Sequence, residues 1–276
     1  MKLNPRYGLD PVIALDGEPS AIVAPAVRQR RRLLAVLETL SDEQWACPSR
    51  CAGWSSRDVI VHLDSTNSFW TLSTAAGLRG EPTQFLASFD PVASPAQLVA
   101  GSLALSSAQV LDRFSASTEA LTQLWLSLDN DDWSALAEAP PGHVSVSAVA
   151  HHALWDSWIH ERDILIPLGL TIVDELDEVI ASLRYVAALG PALAINRGIS
   201  LVSTMVIDAS NPDVSVTVDI GANVEVRNGW TEGAFTLQGR ATDLVEALSV
   251  RRPLEQDVPA DASWMLSGLL EQFDIE

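Results

Sequence analysis

Apolar positions Val27, Leu33, Leu34, Val36, Leu37 and Leu40 recur at helical spacing and predict an amphipathic helix over 24–40. A second helix starts at Ser55, where Ser55 and Asp58 have the spacing of a capping box, with Asp in place of the usual Glu or Gln. Along it Val59, His62, Leu63, Thr66 and Trp70 share one face. Gly, Pro and Asp make residues 78–93 a loop. Ser94-Pro95 reads as an N-cap with Pro at N1, opening an apolar-periodic stretch that runs to Leu128. Pro140-Pro141-Gly142-His143 reads as another loop, and Ser145 or Ser147 then caps a helix expected to end near Leu168-Gly169. A further helix covers 174–189, with its continuation past Gly190-Pro191 left open.

The period changes after Gly198. Residues 199–207 are rich in β-branched side chains, 214–220 alternate strictly with period two, and 224–227 continue that alternation. Asn228-Gly229 signals a hairpin turn, and 234–238 make a fourth strand. Two short helical segments follow, over 242–250 and 262–273. The chain therefore divides into an irregular arm (1–22), a helical bundle without strands (23–198) and a small α+β domain (199–276), an α+β protein overall.

Composition narrows the class. Hydrophobic residues make up 47% and charged residues 19%, which describes a globular chain. A formal charge of −19 argues against nucleic acid and anionic membrane as partners, because both need clustered Lys and Arg. The expected partner is a small molecule; monomer and homodimer both remain open. Lys2 is the only lysine, so a substrate carboxylate held by a cationic side chain must be held by arginine. The run Arg28, Arg30, Arg31, Arg32 reads as a solvated helix face. Cys47 and Cys51 are too few for a disulfide scaffold and lack zinc-ribbon spacing, so they read as buried free thiols. No signal peptide is evident, and no apolar run approaches the ~20 residues of a bilayer span, so the expected location is the cytoplasm.

Three of the five histidines fall within residues 151–163. On a helix, His152, Asp156 and His160 stand four apart on one stripe, and Asp163 extends it by three. Two imidazoles and a carboxylate one turn apart suit a zinc-like ion, and equally a polar face hydrogen-bonded to its neighbours. His62, on an apolar face, reads as a core histidine or as a partner of that stripe.

Two passages resemble a known family. Residues 45–63, Trp45-Ala46-Cys47-Pro48 through Gly53-Trp54-Ser55-Ser56-Arg57-Asp58 to His62-Leu63, look like the opening motif of the mycothiol-dependent maleylpyruvate isomerase family, which belongs to the DinB-like metalloenzymes. Trp155 through Asp163, with Pro167-Leu168-Gly169, resembles its second metal-binding helix. The resemblance covers the helical bundle, and the remainder is similar to the small sterol-carrier-protein-like domain attached to some members. It implies a divalent ion, zinc foremost, held by His62, Asp156 and His160, with Asp156 where the family commonly has glutamate. His152, Asp163 and Glu161 would then support the ligands.

For such a family the implied cofactor is a low-molecular-weight thiol such as mycothiol. The implied chemistry is cis–trans isomerisation of a small unsaturated acid or enone, or thiol transfer to it. Arg251, with Arg240 behind it, is the expected anchor for a substrate carboxylate or enolate. Trp54, Trp70, Trp155 and Trp158 are expected to pack the bundle. Two other outcomes stay open: a binding protein without turnover, and a metal-dependent hydrolase.

Overall fold

The computed structural model describes residues 2–232 and 235–272. Ala234 and Phe273, expected to open a strand and close a helix, lie outside the described residues. The elements run β1 (Ile13–Leu15), α1 (Val23–Leu37), α2 (Asp42–Ala46), α3 (Ser56–Leu78), α4 (Ala93–Gly101), α5 (Ser107–Leu126), β2 (Leu136–Ala139), β3 (Gly142–Ser145), α6 (Val146–Leu165) and α7 (Leu176–Asn196). Then come β4 (Ser203–Ser210), β5 (Val214–Ile220), β6 (Val224–Asn228), β7 (Phe235–Arg240), α8 (Ala241–Leu248) and α9 (Gly268–Gln272). The α+β class read from the pattern is the observed one.

The capping chemistry locates the helix starts. Ser55 and Asp58 form the expected box at the head of α3, each side chain bonding the other's backbone N–H. Ser145, of the two serines considered, caps α6 by accepting from Ala148 N. The long stretch expected from Ser94 to Leu128 is two helices instead. α4 begins ahead of Ser94, and a break after Gly101 is followed by a new capping box at Ser106 and Gln109 that opens α5. α6 stops at Leu165, short of the expected end, while α7 passes through Pro191 to Asn196.

All twenty residues of α6 are buried. It is wrapped by α1, α3 and α7 and by the β2–β3 hairpin, so even its polar stripe faces protein. α7 is long and apolar enough, by length and composition, to cross a membrane, contrary to the expectation that no stretch is. Of its most apolar window, 78% is buried inside the protein, where it packs between α6 and the sheet, and this burial accounts for its apolarity. Close approach there needs glycine: a Cβ on Gly268 would stand 2.0 Å from the Gly190 carbonyl oxygen.

Three strands before residue 198 correct the strand-free reading. β2 and β3 form an antiparallel hairpin around Pro140-Pro141, and β1 joins the C-terminal sheet parallel to β6. The sheet order is β1-β6-β5-β4-β7. Asn228-Gly229 is therefore not a hairpin turn: β7 pairs with β4, on the far side of β5 from β6. The arm around β1 is tied on both sides, with Arg6 N on the Pro141 carbonyl, Val12 N on that of His143 and Val224 N on that of Val12. Gly142 (φ +132°) lets Arg6 pass, since a Cβ there would lie 1.9 Å from the Arg6 oxygen.

The arginine run of α1 is solvated only in part: Arg31 is exposed and Arg28 partly so, but Arg30 and Arg32 turn inward. Arg30 is 1% exposed, donates to the Ala153 carbonyl at 2.8 Å and stacks over Trp125. Burial lowers its pKa to about 10. Arg32 bridges Glu161 and the fully buried Glu178 at 2.8 and 2.7 Å, joining α1 to α6 and α7.

Candidate active site

The fold brings His62 of α3 opposite Asp156 and His160 of α6. His62 Nε2 lies 3.9 Å and His160 Nε2 3.5 Å from Asp156 Oδ1. The three donor atoms lie within 4.8 Å of one another. Asp156 Oδ2 and His62 Nδ1 are buried without any hydrogen-bond partner among the described residues. Burial alone would raise the Asp156 pKa, but the neighbouring imidazoles of His62 and His160 hold it well below the carboxylate range.

The other edge of His160 meets a second cluster. Its Nδ1 is 3.0 Å from Asp163 Oδ2 and 3.6 Å from Cys51 Sγ. Asp163, fully buried, also accepts from Arg50 Nε at 3.0 Å, from Arg251 Nε and Nη2 at 3.0 and 2.9 Å, and from the Cys51 thiol at 3.2 Å. Burial opposes charge on the imidazole, yet Cys51, Asp163 and Asp156 outweigh it and raise His160 to about 10. Asp163 is held well below its ordinary value, since His160 and Arg251 overcome the effect of its burial. Cys51, His160 and Asp163 also have the donor types of a metal set. Two guanidiniums on Asp163 oppose a cation there.

Residues from three separate regions build this second cluster. The turn at 47–55, closed by Ser49 N on the Trp54 carbonyl, sets Arg50 N on the Asp163 carbonyl and its side chain on the carboxylate. Arg251 arrives from the end of α8. There Arg251 N bonds the Glu246 carbonyl and Val250 N that of Ala247, a Schellman ending with Val250 at φ +60° where glycine is usual. Ser249 anchors the same segment by accepting from Trp155 Nε1 at 2.8 Å.

Other expected residues fall elsewhere. His152 stands one turn from Asp156 among the rings of Trp70, Trp155 and Tyr185, its Nδ1 2.7 Å from the Tyr185 hydroxyl. Glu161 points away from the cluster to Arg32 and Gln29 of α1. Arg240 is exposed at the end of β7 and makes no contact with the cluster among the described residues. Cys51 is half-buried and not merely a core thiol. The sequence reading missed Arg50 and Ser249. Trp70, Trp155 and Trp158 pack the bundle as expected, while Trp54 is half-buried with its ring 5.4 Å from that of His62.

A family model described as the mycothiol maleylpyruvate isomerase N-terminal domain matches residues 26–165, half of the chain. The chain belongs to this family. The matched span runs from α1 to the last residue of α6 and carries every cluster residue except Arg251. The crystal structure of the mycothiol-dependent maleylpyruvate isomerase is similar in fold at TM-score 0.60 and 15% identity, covering 89% of this chain and 92% of that one. That of its histidine-to-alanine mutant is similar at 0.59 and 16%, covering 88% and 94%. YfiT from Bacillus subtilis, described as a probable metal-dependent hydrolase with an unusual four-helix bundle topology, gives TM-score 0.44 at 17% identity over 62% of this chain and 95% of its own. No curated protein matches by sequence. The family's part of this chain is the helical bundle, and the fold likeness, over 89% of the chain, reaches beyond it.

Proposed function

We propose that His62, Asp156 and His160 hold a divalent ion, zinc foremost, and that the protein uses a mycothiol-type thiol to isomerise a small cis-unsaturated acid or enone, or to transfer the thiol to it. The convergence of two imidazole nitrogens on the buried Asp156 carboxylate, whose Oδ2 has no hydrogen-bond partner among the described residues, carries this reading. A buried carboxylate left short of partners is costly, and a cation between it and the two Nε2 atoms removes that cost. For bonds of about 2.0–2.2 Å, tetrahedral donors lie roughly 3.3–3.6 Å apart; the 3.5 Å separation falls within that range and the 3.9 Å one is slightly wider. Three protein donors leave one position open.

When bound, such an ion supplies a Lewis acid that favours the thiolate form of a thiol near neutral pH. The chain's own residues do the rest. Asp163 accepts the Nδ1 proton of His160 and so turns Nε2 towards Asp156. Arg251, about a quarter exposed, offers a guanidinium for a substrate carboxylate. Trp54, Trp70 and Trp155 give the surroundings an apolar wall that excludes water. A hydrolase would need a free base beside the open position. Asp163, the neighbouring carboxylate, is committed to two arginines and His160.

Protein purified without added metal is expected to carry about one divalent ion per chain, absent from His160→Ala. Metal-loaded protein mixed with mycothiol and a cis-enone acid is expected to yield the trans isomer or the thiol adduct, followed by ultraviolet absorbance. A metal content unchanged in His160→Ala overturns the ligand set. Bound metal without turnover across a panel of thiols leaves a binding protein and overturns the enzyme.

A further inference from the structure

His152 is the histidine that the proposed ligand set leaves over, and its hydrogen bonding is defined. Its ring is buried, with centroids 4.7 Å from Trp70, 5.3 Å from Trp155 and 5.1 Å from Tyr185. The Tyr185 hydroxyl, 2.7 Å from Nδ1, has no other acceptor among the described residues. If Nδ1 carried the proton, the buried phenol O–H would have nothing to donate to, a cost that the opposite arrangement avoids. Burial, reinforced by the Asp156 charge, pushes the Tyr185 ionisation well above its ordinary range. Burial also lowers His152 to about 4. At neutral pH the phenol therefore donates to Nδ1, and the single imidazole proton sits on Nε2.

That Nε2–H has no protein acceptor among the described residues, although the ring feels the charges of Asp156 and His62 beside it. Most polar groups around the cluster already bond one another: Arg251 bonds Asp163 and the Ser249 carbonyl, Arg50 bonds Asp163 and Glu246, the Cys51 thiol bonds Asp163, and so does His160 Nδ1. Arg50 Nη2 and Trp70 Nε1 are further donors without a partner among the described residues.

We propose that His152 is a catalytic hydrogen-bond donor of this site, its Nε2–H aimed by Tyr185 at the substrate carbonyl oxygen, where charge develops as a thiol adds to the conjugated cis double bond. The proposal rests on the thiol-dependent reading above. In the step, the C–S bond forms at the alkene carbon as the π pair moves through the conjugated system onto the carbonyl oxygen. His152 stabilises that oxygen without surrendering its proton. The former double bond, now single, rotates. Return of the pair breaks the C–S bond, restores the alkene in trans geometry and regenerates the thiolate, so nothing is oxidised or reduced. Neutrality matters here: an imidazolium would protonate the enolate and trap the saturated adduct, whereas a neutral imidazole stabilises it and leaves elimination open. Tyr185 is the positioning residue, since it fixes the tautomer.

The test starts with nitrogen NMR on protein labelled at histidine, with His152 assigned by its loss in His152→Ala. The expected result is a neutral Nε2–H tautomer from about pH 5 to about pH 8, replaced by a mixture of tautomers in Tyr185→Phe. An Nδ1–H tautomer, or a cation in the middle of that range, overturns the proposal without any activity measurement. In turnover, His152→Ala is expected to lose about 10²–10³-fold in kcat while KM and metal content hold, and Tyr185→Phe to lose less. Turnover in the parent with kcat unchanged in a metal-loaded, folded His152→Ala overturns this role alone. Absence of turnover in the parent overturns the thiol-dependent reading and this role with it.

Discussion

Replacing Asp163 by Asn removes one negative charge and no heavy atom, from a position that is fully buried. The carboxylate accepts from His160, Cys51, Arg50 and Arg251, the last through two nitrogens. The amide keeps one acceptor oxygen and turns an NH2 group towards donors. Breaking a buried ion pair costs about 3–5 kcal/mol when the orphaned charge stays dry. Here the arginines are only partly dry: their side chains are 21% and 24% exposed, and Arg50 keeps Glu246 at 3.2 Å. Both can rehydrate in part, which brings the expected loss down to about 2–3 kcal/mol. Urea unfolding at neutral pH reads it directly. A cycle with Arg251→Gln is expected to show coupling of about 1–2 kcal/mol, because each substitution removes the other's partner. Asp163 has a depressed pKa, so its contribution is present above the unfolded carboxylate value of about 3.9 and is lost as pH falls below it. The variant should lack that acid slope. Loss of the His160 acceptor should also weaken metal binding by about 10–100-fold. Additivity with Arg251→Gln within about 0.5 kcal/mol, or parent-like unfolding, would refute the reasoning.

Three further outcomes follow from the same geometry. In protein stripped of metal, the raised His160 contributes stability fully below its unfolded value of about 6.5 and loses it as pH rises towards about 10. Thermal unfolding of the stripped protein should therefore weaken over that window, and metal-loaded protein should lack the trend. Glu138→Gln, which alters a fully buried carboxylate accepting from Tyr7, Thr83, Phe85 N and Leu86 N at 2.6–2.9 Å, should cost roughly 2–4 kcal/mol in urea unfolding and expose the 83–89 loop to proteolysis. Gly142→Ala should cost about 3 kcal/mol or more, because a side chain is forced both into positive φ and against the Arg6 backbone. Faster amide exchange at Arg6 and Val12 would report the arm's release, and unchanged exchange would argue against it.

The elements that the sequence made legible are those with a repeating signal. Period 3.6 and the Ser55 box located α3, and period two located β5. The hairpin β2–β3 escaped because Leu136-Ala137-Glu138-Ala139 has weak strand propensity and is followed by two prolines, while its burial depends on the arm that covers it. β1 is three residues long, too short for any period to show. The break between α4 and α5 was written in Ser106 and Gln109, a capping box hidden inside an otherwise continuous apolar pattern. Arg30 and Arg32 looked solvated because a charge run carries no sign of its partners: Glu178 lies far along the chain, and the Ala153 carbonyl is not a side-chain signal at all.

The site divides along the same line, and one part of it was readable more finely than the sequence reading took it. Glu161 and Asp163 were grouped as supports of the ligands, yet helix geometry separates them. One residue beyond His160 is about 100° around the helix, and three residues beyond is about 60° back on the other side. That rotation alone sends Glu161 to Arg32 on α1 and leaves Asp163 beside the His160 ring. What the helix could not reveal is who meets Asp163. Arg50 reaches it through an irregular turn, and Arg251 through a helix ending in which a valine takes the left-handed position. Neither conformation has a periodic signature, and Arg251 lies beyond the matched residues 26–165. The carboxylate three residues after His160 is therefore the point where the bundle's own histidine and the C-terminal part of the chain are joined, so substitutions around Arg251 should be felt at His160 although the two residues do not touch.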